Sequence, residues 1–200
     1  MEDAKLLESL LKEFEQEIKN KLFMITDDSI RILYFLAWLN SFLEKNSLGR
    51  IYIVRGFVVE FYTAASIRTF DVDVNIVSEK VNVIRKFLKT IGEHIGRGYD
   101  LSLIKIIKPI EIVQKIEIND FIKVWVNDYW IYIWSPEAAL IYLLAAWKYW
   151  NSEYDMYRAK ILWKIRSREM NNAKLCNLAR DLDVLGYLNK LVGENICMEK

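Results

Sequence analysis

The chain has 200 residues, of which 53% are hydrophobic and 14% aromatic, and its 28 basic and 27 acidic side chains give a formal net charge of +1. This composition excludes intrinsic disorder and suits one compact domain, or a core with a helical appendage. Because the charges balance, any nucleic-acid site would have to be a local basic patch.

Two helices are predicted in the N-terminal part. Apolar residues at helical spacing indicate an amphipathic helix over residues 3–23. The polar segment 26–29 offers N-cap side chains for a second helix, which runs to about Lys45 and is apolar enough to be largely buried.

Strands and helices then alternate. The elements predicted up to residue 98 are a buried strand over 51–54, a short helix over 58–65, a strand over 69–77, a helix from Ser78 to about Gly92 and a glycine-bearing loop over 96–98.

The region from 101 to 134 is rich in β-branched and aromatic residues, and turn residues lie at 119–120 and 127–128. The strands predicted there cover 101–107, 110–116, 121–126 and 130–133.

After the strands, Ser135 and Pro136 open a helix as N-cap and first helical residue, and three or four helices are predicted to about Val192. This order predicts the α+β class. Residues 1–134 would form an α/β core, a mixed sheet flanked by helices, and residues 135–200 a helical subdomain.

Counts of cysteine and histidine exclude several classes of site. The two cysteines, Cys176 and Cys197, are too few for a disulfide framework or a cysteine zinc site. The single histidine, His94, excludes a histidine cluster, and we expect it to be structural or solvent-facing in a helix.

No targeting or membrane-spanning segment is recognised in the sequence. The N-terminal residues carry acids without a basic leader, and the longest apolar stretch, 138–147, is too short to cross a membrane. We therefore expect a cytoplasmic protein without a membrane partner. Its richness in Ile, Lys and Glu is typical of thermophiles.

Two aspartates carry the strongest chemical signal. Alternation along 69–77 places Asp71 and Asp73 on one strand face, about 6.5–7 Å apart at Cα, with Phe70, Val72 and Val74 on the other. Such carboxylates repel each other unless a cation such as Mg²⁺ binds between them.

An isolated acidic pair of this kind would be interpreted as the polar face of a half-exposed strand. The segment before the aspartates favours a metal site instead. There a buried strand ends at Gly56, where backbone can approach a phosphate closely.

The segment 51–76 resembles the nucleotidyltransferase superfamily with a DNA-polymerase-β-like core, and most closely the AbiE-type toxins and related small prokaryotic nucleotidyltransferases. The matching residues are Ile53, Val54, Gly56, Phe57, Glu60, Tyr62, Arg68, Thr69, Asp71, Val72, Asp73 and Val74. Two supporting matches are 135–137, which opens a helix, and 153–157, which introduces the last helices. The resemblance covers roughly residues 28–190.

The resemblance implies that Asp71 and Asp73 bridge two Mg²⁺ (or Mn²⁺) ions on a nucleoside triphosphate. A third carboxylate is required on a neighbouring strand. Glu111 is our choice because apolar residues flank it on a predicted strand, although an acid that protects an edge strand fits equally well. Glu117 and Asp100 are the alternatives.

The remaining predicted nucleotide contacts lie around the aspartates in sequence. The resemblance implies that the Gly56 backbone approaches the phosphates and that Arg68 neutralises developing charge, with Phe57 and Thr69 as further nucleotide-binding residues. The implied reaction transfers a nucleotide to RNA (tRNA included) or to a protein. The implied biological role is that of a toxin or a defence protein. An antitoxin-like partner or a homodimer is expected.

Four positions depart from the family pattern. Arg55 stands where the first glycine is expected, so that it either contacts triphosphate or blocks the loop, and Val58 replaces a common alanine. Leu143 replaces a nucleotide-contacting lysine, and Tyr154 replaces a basic residue before Asp155. These departures make a degenerate nucleotide- or partner-binding protein the alternative function.

Two further groups of residues are candidate nucleic-acid contacts. The tryptophans are predicted to be mainly core or interface residues rather than base-stacking ones: Trp125, Trp130, Trp134, Trp147 and Trp150. The late basic residues are predicted to form a solvated helix face rather than an RNA contact: Arg158, Lys160, Lys164, Arg166 and Arg168. An interaction protein would instead pair through the helix over 3–23.

Overall fold

The computed structural model describes residues 2–197, and the chain divides into two compact units. The first unit contains the chain up to Val54, Phe70–Lys115 and Lys123–Ile133. The second contains Arg55–Thr69, Ile116–Ile122 and the chain from Trp134 onward. The last three residues of the predicted subdomain 135–200 lie outside the described residues.

The described chain forms one seven-stranded mixed sheet with helices, which confirms the α+β class. The strands are β1 (Arg50–Val54), β2 (Val72–Val77), β3 (Glu93–Ile95), β4 (Gly98–Leu101), β5 (Ile106–Val113), β6 (Phe121–Val126) and β7 (Tyr129–Trp134). Their order in the sheet is β3-β4-β5-β2-β1-β7-β6. β2 is antiparallel to β1 and parallel to β5, and β1 is parallel to β7.

The helices agree closely with the predicted ones. They are α1 (Glu2–Glu13), α2 (Lys19–Met24), α3 (Asp28–Lys45), α4 (Gly56–Tyr62), α5 (Val81–Ile91), α6 (Pro136–Trp150), α7 (Glu153–Arg166), α8 (Asn172–Asp181) and α9 (Leu185–Val192). A π-helical turn, Phe14–Ile18, joins α1 to α2, so the predicted helix over 3–23 is continuous but locally widened. No described helix is long and apolar enough to span a membrane.

The apolar stripe of the N-terminal helices is buried within the first unit. Leu10, Phe14, Ile18 and Leu22 are at most 1% exposed. α1 packs on α5, and Phe14 contacts aromatic rings of α3 and α5. An interaction protein that pairs through 3–23 therefore lacks the apolar face that it would need.

A buried asparagine connects α3 to the sheet. The Nδ2 of Asn40 donates to the Trp130 carbonyl at 2.9 Å, and its Oδ1 accepts from the Ile51 N–H at 2.8 Å. Asn40 is fully buried, and these bonds satisfy both ends of its amide. They connect the helix to the second residues of β1 and β7.

His94 is solvent-facing as predicted, but it lies in a strand and not in a helix. The helix ends at Ile91, and residues 93–101 form the β3–β4 hairpin, in which His94 is exposed with its ring 5.0 Å from that of Tyr99. Gly96 has φ +59°, which glycine adopts without strain and which allows the tight turn.

The two strands predicted over 101–107 and 110–116 were also wrong. A short 3₁₀ turn covers Ser102–Ile104, and β5 runs without a break through Pro109. Proline cannot donate a ladder bond, but the β4–β5 pairing is irregular between Tyr99 and Leu101, so the missing donor falls at a bulge.

The second unit is tied together at the start of α6. Ser135 caps the helix as predicted, since its Oγ accepts from the Ala138 N–H at 3.1 Å, and Pro136 begins it. Trp134 is fully buried and donates from Nε1 to the Ile118 carbonyl at 2.7 Å.

The two cysteines are joined. Cys176 of α8 forms a disulfide with Cys197, which follows α9. This bridge, which links α8 to the segment after α9, was not predicted from the sequence.

Candidate functional site

Asp73 and Glu111 are paired neighbours on parallel strands of the first unit. The register joins Asp73 of β2 to Glu111 of β5, and Val72 to Ile110. Paired residues project from the same face of a sheet, so both carboxylates lie on one face while Val72 and Ile110 enter the apolar core on the other. Asp73 is 9% exposed and Glu111 is half-buried.

Asp71 lies just outside this ladder. β2 begins at Val72 and not at residue 69, so Asp71 occupies the approach to the strand, where it is half-buried. Its neighbour Phe70 was predicted on the apolar face with Val72 and Val74, but it is 94% exposed. The alternation holds from Val72 onward because only those residues have strand partners.

Gly98 makes room for Glu111, and sequence reasoning missed it. β4 pairs Gly98 with Glu111, and a Cβ on Gly98 would meet the Glu111 Cγ at 3.3 Å and the Pro109 Cβ at 3.2 Å. Any larger residue at 98 would press on the carboxylate's stem. The signal is not local, since it depends on which strand lies beside β5.

The alternative third carboxylates have other partners. Glu117 accepts from the Arg55 guanidinium at 2.9 Å in the second unit. Asp100 accepts from the Ser102 N–H at 2.7 Å and so stabilises the turn after β4. Of the three candidates, Glu111 alone is in register with an aspartate of the predicted pair.

The site has the carboxylate ligands that a hard cation prefers, but only a few of them lie together. Asp73 and Glu111 offer carboxylate oxygens from adjacent strands, and Mg²⁺ typically takes one or two carboxylates plus substrate phosphates. Within residues 2–197, no three or more histidine, cysteine, aspartate or glutamate side chains converge on a common point. Asp73 and Glu111 are thus two carboxylates in register, of the ligand type that Mg²⁺ takes.

The motif residues of the second unit form a connected structural network. Gly56 begins α4, and a Cβ there would lie 2.8 Å from the Thr69 Oγ1, so glycine is required for this close approach. Glu60 is buried and accepts from the Thr69 N–H at 2.7 Å. Arg68, next to Thr69, is exposed, and Phe57 is buried in the core.

Arg55 keeps a backbone conformation typical of glycine. Its φ and ψ are +60° and −132°, at the position where the resembling family has its first glycine. A non-glycine residue in such a region costs about 1–3 kcal/mol. Arg55 is ion-paired with Glu117, which holds the side chain in place.

Replacing Arg55 tests this conformation. We expect Arg55→Gly to be more stable to urea than Arg55→Ala by about 1 kcal/mol, since only glycine relieves the positive φ. Both variants lose the Glu117 ion pair equally, so their difference isolates the backbone. An alanine variant as stable as the glycine variant would contradict the positive φ.

Two arginines predicted on a solvated helix face instead bind backbone. Arg158 is 9% exposed, donates to the Gly56 carbonyl at 3.3 Å and pairs with Asp155 at 3.0 Å. Arg166 donates from Nε to the Tyr62 carbonyl at 2.9 Å. Both bonds run from α7 to α4, so the prediction was wrong for these two residues.

Tyr62 and the Ser-Pro-Glu segment have structural partners in the second unit. Burial, reinforced by the charge of Glu137, raises the pKa of Tyr62 well above its usual value, and its hydroxyl donates to the Trp134 carbonyl at 2.8 Å. Glu137 is buried and accepts from the Asn171 N–H at 2.7 Å. Tyr62 and Glu137 thus act in packing.

Lys174 completes this buried polar group. Its Nζ lies 2.9 Å from Asp120 and 3.4 Å from Glu137. Partial burial lowers the pKa of Lys174, but the hydrogen bond to Asp120 and the charge of Glu137 outweigh it and raise that pKa. Breaking such a pair leaves a buried carboxylate uncompensated.

No protein-family model, curated protein or solved structure matches this chain.

The departure at Leu143 has a clear structural setting. Leu143 is fully buried in α6, where the resembling family often has a nucleotide-contacting lysine. The one lysine of α6, Lys148, pairs with Asp183 at 2.6 Å. Among the described residues, α6 therefore offers no lysine other than this ion-paired one.

Proposed function

We propose that the chain is a Mg²⁺-dependent nucleotidyltransferase that moves a nucleotide from a nucleoside triphosphate to an RNA or protein acceptor. The observation that supports it is the register of Asp73 with Glu111 on parallel strands. An acid on the strand beside the aspartates is what the resemblance required, and this pairing depends on tertiary structure.

The carboxylates have distinct roles in this proposal. Asp73 and Glu111 would hold a divalent cation, and Asp71, two residues before Asp73, is the further carboxylate that the resemblance implies. A bound cation would stabilise the developing charge as the acceptor oxygen bonds to the α-phosphorus and the bond to the leaving pyrophosphate breaks. Glu111 accepts the proton of the acceptor hydroxyl, and Gly98 leaves its side chain the necessary room.

Other parts of the prediction rest on the resemblance alone. Gly56, Phe57, Arg68 and Thr69 stay predicted nucleotide contacts. A toxin or defence role, with an antitoxin-like partner, also stays a prediction. A small paired reading frame beside the gene would support that role.

The test is label transfer from α-³²P nucleoside triphosphates into total RNA or protein in the presence of Mg²⁺. We expect EDTA to abolish transfer and Glu111→Gln to lower its rate about 100-fold, since an acid–base group typically contributes that much. Glu117→Gln and Asp100→Asn are the matched controls and should retain the rate within about threefold of the native protein. Loss of transfer in a control, with Glu111→Gln active, would overturn the assignment.

A degenerate nucleotide- or partner-binding protein is the second candidate, and buried Leu143 favours it. It predicts Mg²⁺-dependent triphosphate binding by calorimetry without any label transfer. Binding lost in Asp73→Asn but kept in Glu117→Gln would place the nucleotide at the same carboxylates.

A further inference from the structure

A row of aromatic rings crosses one face of the sheet at its β6 edge. The aromatic row consists of Trp125, Trp130, Tyr132 and Tyr52. The Trp125 and Trp130 ring centroids are 5.2 Å apart, and those of Tyr52 and Tyr132 are 5.6 Å apart. Trp125 is 61% exposed, and the other three rings are half-buried. The exposure of Trp125 excludes the core part of its prediction as a core or interface residue, and its place at an interface stays a prediction.

Three cations lie over these rings. The Lys123 Nζ is 4.4 Å from the Trp130 ring centroid and 4.8 Å from that of Trp125. The Arg50 guanidinium is 5.4 Å from the Tyr132 ring, and the Lys45 Nζ is 5.9 Å from the Trp130 ring. Lys45 and Lys123 are exposed, and neither forms an ion pair within residues 2–197.

One carboxylate, that of Glu44, binds two rings of the row. Glu44 accepts from the Trp130 Nε1, from the Arg50 guanidinium and, at 3.3 Å, from the Tyr132 hydroxyl. These bonds engage the Trp130 Nε1 and the Tyr132 hydroxyl and so fix the orientation of both rings. The charge of Glu44 is already matched by Arg50, so the two lysines give the surface a net positive charge.

We propose that the aromatic row, with Lys45, Arg50 and Lys123, binds single-stranded nucleic acid. Every base has a face that stacks on an aromatic ring, and each stacked base contributes about 1–3 kcal/mol with little dependence on sequence. The lysines beside the rings match the phosphates that follow each base. Charge complementarity favours this occupant over an apolar protein segment.

The row lies on the same sheet face as the paired carboxylates. Tyr132 pairs with Tyr52, and Tyr52 pairs with Asn75, which is two residues from Asp73. Strand spacing and rise place Tyr132 about 12 Å from Asp73 along the sheet. A bound strand could thus present its end as acceptor, a consequence that rests on the proposed function, whereas binding itself does not.

The test is fluorescence anisotropy with 5′-labelled 12-nucleotide oligo(U) and oligo(A) RNA, without triphosphate or Mg²⁺. We expect binding of both single strands, tighter than of the matching duplex. Trp125→Ala should weaken it at least about fivefold, and Lys123→Gln should reduce the salt slope by about one. The matched controls are Trp150→Ala, another exposed tryptophan at 68%, and Lys12→Gln, an exposed lysine on α1.

The outcomes separate this surface from the proposed transfer. Unchanged affinity in Trp125→Ala, equal preference for duplex, or self-association through β6 without RNA binding would each overturn the surface. Binding that needs Trp125 but comes with no label transfer would uphold the surface and count against the transferase. Label transfer by the native protein, together with native RNA affinity in Trp125→Ala, would support the transferase and overturn the surface.

Discussion

Alanine at both Asp71 and Asp73 is expected to lower the rate of nucleotidyl transfer about 10³-fold. This corresponds to about 4 kcal/mol of lost transition-state stabilisation, the size expected when a metal clamp on phosphoryl oxygens is removed. The measurement is single-turnover label transfer at saturating Mg²⁺, compared with Glu111→Gln alone.

Fold and chemistry can be separated in this experiment. Asp71→Asn with Asp73→Asn keeps the side-chain shapes and should lose the same activity. Glu15→Ala with Glu17→Ala removes two exposed acids of the first unit and should leave the rate unchanged. Label transfer that survives both double aspartate variants, with urea midpoints equal to native, would rule out the proposed site.

Trp38→Ala is expected to lower the free energy of unfolding of the first unit by about 3–5 kcal/mol, since it leaves a large cavity in the core. Trp38 is fully buried among the rings of Phe14, Phe35 and Phe87, whose centroids lie within 5.9 Å of its own. Its Nε1 donates to Glu13 at 2.8 Å, and this carboxylate also loses a donor.

Urea unfolding followed by circular dichroism measures this loss. Trp125→Ala removes the same side chain from an exposed position and should change stability by less than about 1 kcal/mol. Trp38→Phe should fall between the two. If Trp38→Ala is as stable as Trp125→Ala, the aromatic cluster is not the core that holds α1, α3 and α5 together.

The structure shows contacts among some residues of the nucleotidyltransferase-like motif. Gly56, Glu60 and Thr69 account for one another through contacts within the second unit. These contacts give the three residues a structural role in this chain, beside the nucleotide contacts predicted for Gly56 and Thr69. Asp71 and Asp73 belong to the first unit, where Asp73 is in register with Glu111, and their replacement tells most about activity.

Several features of this protein follow from short stretches of sequence. The apolar stripe of residues 3–23, a cap of α3 within residues 26–29 and the Ser135 cap of α6 were predicted, because each depends on residues within one or two helical turns. The α+β class follows from the order of such elements.

What only the tertiary structure decided involves partners far apart in the chain. The pairing of Asp73 with Glu111, the space that Gly98 leaves beside Glu111, and the burial of Arg158 against Gly56 each join segments that no local pattern relates. The exposed Phe70 shows the same limit, since alternation predicts a face only where a strand has neighbours. Helix caps and apolar periodicity contribute free energy through residues close together in the sequence. Strand register instead depends on which side chains from distant segments fill the core together.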